Sequence, residues 1–334
     1  MTNNDTNHTT LAKRPPERVM VSQPQDISTL PAGHPLQLMQ QENEALKGIL
    51  ADIESAANRE NAQASLKNLQ RLYGLWNHYN KKDGIIAPML YRYGVTGPSQ
   101  VMWNVDDEIK DELSAVCRPI QQDIENFPIY RGRIYGLTQR AEEMIRKEEQ
   151  IVMPMTLRFF TDEQWYAIYG DFKESGTAFD VPFIEWPEAE SWLAKQESAL
   201  DMDTVMDGKV RLSTGEVTLR QLRGIFALLP IDITFIDETD TIRFFLNEGH
   251  IFDRPKTCLG RPVYDCHPPR IIPVVKNLIE DFRAKRRDHM TVARRIKGKP
   301  VLVQYMGVYD ESGTYIGTVE FVQDCSEILT SFKG

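Results

Sequence analysis

The sequence predicts an α domain followed by an α+β domain: four long helices in a bundle, then a unit built on one antiparallel sheet. Three observations carry this reading. The chain has 334 residues, which at roughly 150 residues per domain leaves room for about two hydrophobic cores. From Pro35 to about Arg158 the apolar residues recur at helical spacing, and the glycines and prolines fall between the periodic stretches. Beyond residue 217 the apolar period shortens from the helical to the alternating one.

In the first helix Leu36, Met39, Leu46, Ile49 and Ile53 share a face with Asn43, and Pro35 takes a natural first-turn position after His34. The second places Leu66, Leu69, Leu72, Leu75, Trp76 and Tyr79 on one stripe and ends near Tyr93, before a loop of turn formers over 94–99. A third covers about 100–126. The fourth carries Ile134, Leu137, Ala141, Met144, Ile145 and Ile151. Thr161, with Gln164 three residues on, has the form of a capped start and predicts an accessory helix. Residues 185–216, acidic and poor in large apolar side chains, are expected to form a linker. After it come strands over 231–236 and 241–246 around the polar turn Asp237-Glu238-Thr239-Asp240. A helix over 271–282 and strands over 290–296, 301–309 and 315–322 complete the pattern. The expected division is a flexible tail over 1–29, the bundle with its accessory helix over 30–184, the linker, the sheet domain over 217–328 and a short tail over 329–334.

Composition narrows the function. Hydrophobic residues at 41% and charged residues at 26% are ordinary globular usage and exclude wholesale disorder. The net charge of -9 argues against a nucleic-acid surface spread over the chain. A local basic cluster, Arg283, Lys285, Arg286, Arg287, Arg294 and Arg295, reads first as a solvated helix end with favourable cations. Nothing approaches the length of a membrane span, and residues 1–32 have no apolar core of a secretion signal, so a cytoplasmic protein is expected. Four dispersed cysteines without a C-x-x-C pair read as reduced thiols. There is no phosphate-binding glycine loop, G-x-S-x-G, H-E-x-x-H or kinase signature, so no hydrolase or transferase site is expected.

The helical half contains a repeat. His78-Tyr-Asn-Lys-Lys82-Asp83-Gly-Ile85-Ile-Ala-Pro88-Met89 runs parallel to Met144-Ile-Arg-Lys-Glu148-Glu149-Gln-Ile151-Val-Met-Pro154-Met155. A His and a carboxylate four residues apart on a helix can share one metal ion. Neither copy has the full pair, because Lys82 follows His78 and Met144 precedes Glu148.

Gly33-His34-Pro35, Glu42-Asn43-Glu44-Ala45, His78-Tyr79-x-x-Lys82-Asp83, Val101-Met102-Trp103-x-Val105-Asp106-Asp107-Glu108-Ile109 and Lys147-Glu148-Glu149-x-Ile151-x-x-Pro154-Met155 together resemble the hemerythrin-like HHE cation-binding domain. More closely they are similar to the divergent branch in DUF438 proteins, where that domain precedes a PAS domain. Gly260-Arg261-Pro262-Val263-x-Asp265-Cys266-His267-Pro268-Pro269, with residues 228–237 before it and 313–324 after it, resembles a PAS domain in turn. The resemblance implies non-haem iron, mono- or dinuclear, held between the helices. Carried over by position, its ligands are His34, His78, Asp106 and Glu148, with Glu42, Asp83 and Glu149 as weaker candidates. Lys82 brings a positive charge close to the proposed metal, and Met144 is a poor ligand for hard iron. The alternative is that His34 caps the first helix and His78 is a satisfied bundle histidine. In the PAS domain His250, Cys266 and His267 are pocket candidates, for haem or another small ligand.

Three functions are therefore open. A cytoplasmic sensor or regulatory protein would detect iron, oxygen or a redox species in the bundle and couple it to a ligand-binding or dimerising PAS domain, as a homodimer or with a protein partner. A non-haem iron oxidoreductase would act on oxygen, peroxide or nitric oxide. A metal-free scaffold would only bind partners.

Overall fold

The computed structural model describes residues 27–203, 208–249, 251–252, 254–296 and 298–331; of the tail expected over 1–29, residues 1–26 lie outside this set. The first bundle helix, α1, spans Pro35–Asn58. The second is a nearly continuous run of α2 (Ala62–Arg71), α3 (Leu75–Asn80), a π-helical turn (Lys81–Ile86) and α4 (Ala87–Tyr91), with a 3-10 turn, Leu72–Gly74, between α2 and α3. Next comes α5 (Gly97–Gln122). The fourth bundle helix is α6 (Phe127–Lys147), a π turn (Glu148–Val152) and α7 (Met153–Phe159). Helix α1 packs on α2 and α6, and α5 packs on the same two, which closes the bundle.

The repeat is a structural one. Each copy forms a π turn directly before a proline-containing helix, at Pro88 and at Pro154. A π turn widens the helix by one residue and lets neighbouring side chains point inward together. Lys81, Lys82 and Asp83 are all buried in consequence. The same register breaks correct two expectations. Trp76 lies just past the 3-10 turn, 40% exposed and stacked on Tyr73, and Ile151, in the second π turn, is also 40% exposed.

Thr161 caps α8 (Asp162–Ser175) with a full capping box shared with Gln164. Within the segment read as a linker lies α9 (Pro187–Asp203). Trp186 before it and Ala189 in its first turn belong to the bundle core, together with Trp165 and Phe172 of α8. In sequence the acidic composition of this segment hides the apolar edge, Trp186 and Ala189, that returns to the bundle.

The second half opens with a small hairpin, β1 (Lys209–Leu212) and β2 (Gly215–Thr218), and the short α10 (Leu219–Phe226), none of which the apolar pattern announces. The sheet follows: β3 (Ile231–Asp237), β4 (Ile242–Asn247), then α11 (Ile272–Arg283), β5 (His289–Ile296), β6 (Lys299–Tyr309) and β7 (Tyr315–Asp324), ending in α12 (Ser326–Ser331). Its order is β4-β3-β7-β6-β5, antiparallel throughout. Asp237 and Asp310 close their two hairpins by accepting backbone N–H bonds from the turns that follow them. Among the described residues no helix is long and apolar enough to cross a membrane.

Gly33 sets the entry of α1. Its φ is 81°, and a Cβ there would lie 2.6 Å from the Ile184 carbonyl oxygen. Gly33→Ala is therefore expected to destabilise the bundle by about 1–3 kcal/mol through backbone strain and the clash. Gly48→Ala, in the exposed interior of α1 with nothing within 4 Å of the added methyl, should stabilise it by about 0.5–1 kcal/mol. Urea unfolding of the two variants checks the contrast.

Candidate functional site

The bundle core holds a cluster of ionisable side chains. Glu42, on α1, is fully buried. Its Oε2 faces His78 Nδ1 at 2.7 Å, and its Oε1 accepts from Lys81 Nζ at 2.5 Å and from the Ala178 backbone N–H at 2.8 Å. The other ring nitrogen of His78, Nε2, lies 3.1 Å from Glu148 Oε2. Lys82 Nζ donates to Asp83 Oδ1 at 2.5 Å and to Asp106 of α5. Helices from every side of the bundle thus meet through ionic hydrogen bonds.

The electrostatics follow from burial and pairing. Burial works against a charged His78, but the carboxylates of Glu148 and Glu42 raise it to about 9, so at neutral pH both ring nitrogens carry protons. Burial likewise opposes a charged Lys82, and Asp106, Asp83 and Glu148 more than reverse it. Burial raises Glu42, yet the hydrogen bond and charge of His78, with Lys81, bring it below its ordinary value. Burial holds Lys81 below its ordinary value against the pull of Glu42. Asp83 is raised by burial despite Lys82, and Asp106 is raised far more, by burial and by the neighbouring charges of Asp83 and Glu148. Three basic side chains, His78, Lys81 and Lys82, thus stand among four buried carboxyl groups, Glu42, Asp83, Asp106 and Glu148.

The structure brings Glu42, His78, Asp83, Asp106 and Glu148 together. It does not bring in His34 or Glu149. His34 is the N-cap of α1, its Nδ1 accepting from the Leu36 N–H at 3.1 Å, its ring between Trp165 and Trp186. Two turns separate it from Glu42, about 12 Å along the axis. Burial lowers it to about 4, so it is neutral. Glu149 turns outward and pairs with Lys47 at 2.8 Å. Sequence reasoning missed the part played by Lys81 and named Lys82 only as an intruder. The signal was there: three consecutive charged residues in front of the apolar Ile85-Ile86-Ala87, which helical spacing cannot all expose.

This donor set does not fit an iron pair. A metal ligand needs a lone pair, and both nitrogens of His78 are spent on carboxylates. Glu42, Asp83 and Asp106 already accept from ammonium groups, which supply positive charge to the same oxygens that would bind a metal. Among the described residues no group of three or more His, Cys, Asp or Glu side chains is arranged to hold a metal ion.

Of the PAS-region candidates, His267 Nδ1 lies 2.8 Å from the Val263 carbonyl oxygen, and Cys266 packs with Cys258 in the apolar cluster beneath α11. His250 lies outside the described residues. The two 3-10 turns of this region, Lys256–Cys258 and Val263–Cys266, press against α8 and α4 of the bundle. Asp171 of α8 accepts the Lys256 N–H at 2.7 Å and the Thr257 N–H at 3.2 Å. Lys256 pairs with Glu174, and Arg270 with Asp107. Arg261, 3% exposed, donates to the Met89 sulfur of α4.

A family model for the hemerythrin HHE cation binding domain matches residues 34–156, and one for the PAS domain matches 222–326. The chain therefore carries an HHE domain followed by a PAS domain. Among solved structures it is similar to the C-terminal domain of a Streptococcus mutans protein, at 28% identity over 37% of this chain and 98% of that one, with a TM-score of 0.36. It is also similar to a PAS domain from Colwellia psychrerythraea, at 16% identity over 33% and 98% with a TM-score of 0.27. A PAS domain from Bordetella pertussis gives 16% identity over 34% and 92%, with a TM-score of 0.24. No curated protein matches the chain.

Burial raises Asp171 from 3.8 to about 6, against the hydrogen bonds from Thr257 and Lys256. The folded chain thus holds a proton there that the unfolded chain releases, and stability falls as the pH rises from about 4 to 6 and is level above that. Asp171→Asn should flatten this part of a plot of melting temperature against pH.

Proposed function

We propose that this chain, a hemerythrin HHE domain followed by a PAS domain, is a regulatory protein whose bundle has replaced metal ions with its own lysine ammonium groups. The observation that carries this reading is the burial of Lys81 and Lys82 against Glu42, Asp83 and Asp106. The iron, oxygen and redox sensing implied by the family resemblance, and the oxidoreductase alternative, all need a metal at these carboxylates, and the lysines compete with it for the same oxygens. What remains is a bundle that senses through its fold and its contacts, coupled to a PAS domain as in the DUF438 arrangement.

The coupling has a physical route. The π turn that carries Lys81, Lys82 and Asp83 runs directly into α4, whose Met89 meets Arg261 of the PAS domain. Any change in the ion cluster shifts the segment on which that contact rests. A homodimer through the PAS domain belongs to the proposal; its support is the exposed apolar group of Ile225, Leu228 and Phe244 on and beside α10 and β4. A cytoplasmic location is proposed with it.

Purified full-length protein, reconstituted anaerobically with iron, is expected to retain less than stoichiometric metal and to keep its melting temperature after chelation. Stoichiometric iron that a chelator removes together with stability would overturn the reading. Lys82→Ala should leave two buried carboxyl groups without their cation and cost about 3–5 kcal/mol. Lys82→Met, which keeps the stem, should lose less once Asp106→Asn removes a carboxyl group as well. Equal loss in Lys82→Met and in that double variant would show that Asp106 is not the partner that matters.

A further inference from the structure

We propose that the PAS domain binds an aliphatic α-amino acid, held as its zwitterion by Asp232, Thr234, Asn247 and Arg254 on the sheet face covered by the loop after β4. The inference stands apart from the ion cluster of the bundle, since no residue of that cluster takes part in it, and metal uptake by the bundle would leave it standing.

Strand pairing puts these side chains on one face. Asp232 and Thr234, two apart on β3, point to the same side of the sheet. Asn247 of β4 stands directly opposite Asp232, and Glu320 of β7 directly opposite Thr234. The loop after β4 folds back over them: Asp232 Oδ2 accepts the Ile251 N–H at 3.0 Å and the Phe252 N–H at 2.9 Å. Arg254 then reaches in from the loop, its guanidinium 5.0 Å from the centre of the Phe252 ring and its Nη2 donating to Glu320. Its Nη1 lies 3.8 Å from Asp232 Oδ2, beyond hydrogen-bond reach.

This arrangement leaves four polar atoms of one patch unanswered. Asp232 Oδ1, Thr234 Oγ1, Asn247 Oδ1 and Arg254 Nη1 are buried and have no hydrogen-bond partner among the described residues. The Asp232 side chain is 0% exposed and Thr234 5%. A buried polar group left unmet costs stability, and native interiors hold few of them. Their gathering on one stretch of sheet points to a partner from outside the chain.

The chemistry of the four selects that partner. An unmet carboxylate oxygen and an unmet amide oxygen call for a positively charged donor, while an unmet guanidinium N–H and a hydroxyl call for a negatively charged acceptor. One ligand carrying both charges answers all four. Residues two apart on a strand are about 7 Å from each other, a distance spanned by two hydrogen bonds of about 2.8 Å and the short step from an ammonium to its α-carboxylate. The charges already present cancel, Asp232 and Glu320 against Arg254 and, at the rim, Arg294 stacked on the Phe252 ring, so neither a bare anion nor a bare cation is favoured. The aliphatic side chains of Ile251, Val303 and Val322 cluster beside the polar patch and suit an aliphatic ligand side chain. Arg254 and Glu320, each with 14% of its side chain exposed, form the way in. Arg254 also stands two residues before Lys256, whose N–H is held by Asp171 of α8, so the site and the contact with the bundle share one short loop.

Titration calorimetry and melting of the dialysed full chain with L-alanine, L-valine and L-leucine test the assignment. At least one is expected to bind and to raise the melting temperature. Its amide, which lacks the carboxylate, and its 2-hydroxy acid, which lacks the ammonium, should bind weaker by on the order of tenfold or more. Thr234→Val removes a hydroxyl without an internal partner, so the free protein should keep its melting temperature while affinity falls on the order of tenfold. Arg254→Lys keeps the charge but cannot serve Glu320 and the ligand together, and should weaken binding further. No binding of any of the three amino acids would show that the four atoms are met by ordered water only and would overturn the proposal, as would equal binding of the amide or the hydroxy acid, or unchanged affinity in Thr234→Val.

Discussion

A lysine ammonium buried between two carboxyl groups is the constraint on which the rest of this structure turns. Lys82 reaches Asp83 on its own turn and Asp106 on α5, with 3% of its side chain exposed. A lone ion in such a place would be costly by several kcal/mol. The helices must therefore hold their rotation and height to within a hydrogen bond, because a slip of one residue would strand a charge. His78 imposes the same demand between α1 and the second π turn, through Glu42 and Glu148.

These demands explain why both copies of the repeat abandon regular α geometry at the same place. An ordinary α-helix sends consecutive side chains about 100° apart, so Lys81, Lys82 and Asp83 could not all face the core. The π turn brings all three in and leaves Gly84, which has no side chain to accommodate, beside the Asn80 amide. On the opposite side the π turn at Glu148 presents its carboxylate inward while Glu149 turns out to Lys47. The bundle uses two helical irregularities to seat one cluster of paired ionisable side chains.

The four bundle helices, the capping box of Thr161 and the sheet strands were legible because each rests on a local rule: apolar period, cap chemistry, alternation between turns. What was not legible depended on contacts distant in sequence. The repeat could be seen in the letters, but the register change within it could not, and with it went Trp76, Ile151 and the inward lysines. His34 could be read as a ligand or as a cap from sequence alone, and only the neighbouring Trp165 and Trp186 make the cap the observed role. Residues 187–203 have the acidic composition of a linker, yet the buried apolar residues that dock the segment, Trp186 and Ala189, are too few to make a period. Of the site itself, Glu42, His78, Asp83, Asp106 and Glu148 were named from sequence. Their chemistry was not legible, because it is set by the lysines among them.

The bundle and the PAS domain are joined by the same kind of physics at lower strength. Asp171 gives up its solvation to receive two backbone N–H groups, and Arg261 gives up its own for a single thioether. Neither group is fully compensated, as the raised Asp171 and the unmet nitrogens of Arg261 record. A contact built from partly satisfied charges has little stability to spare and responds to a single proton. The bundle core carries the same tension: burial lifts Asp106 well above its ordinary value, and Asp83 Oδ2, Asp106 Oδ1 and Glu148 Oε1 have no hydrogen-bond partner among the described residues. The two are joined through α4, which follows the π turn of Lys81, Lys82 and Asp83 and carries Met89 to Arg261, so a charge left unanswered at one end bears on the packing at the other.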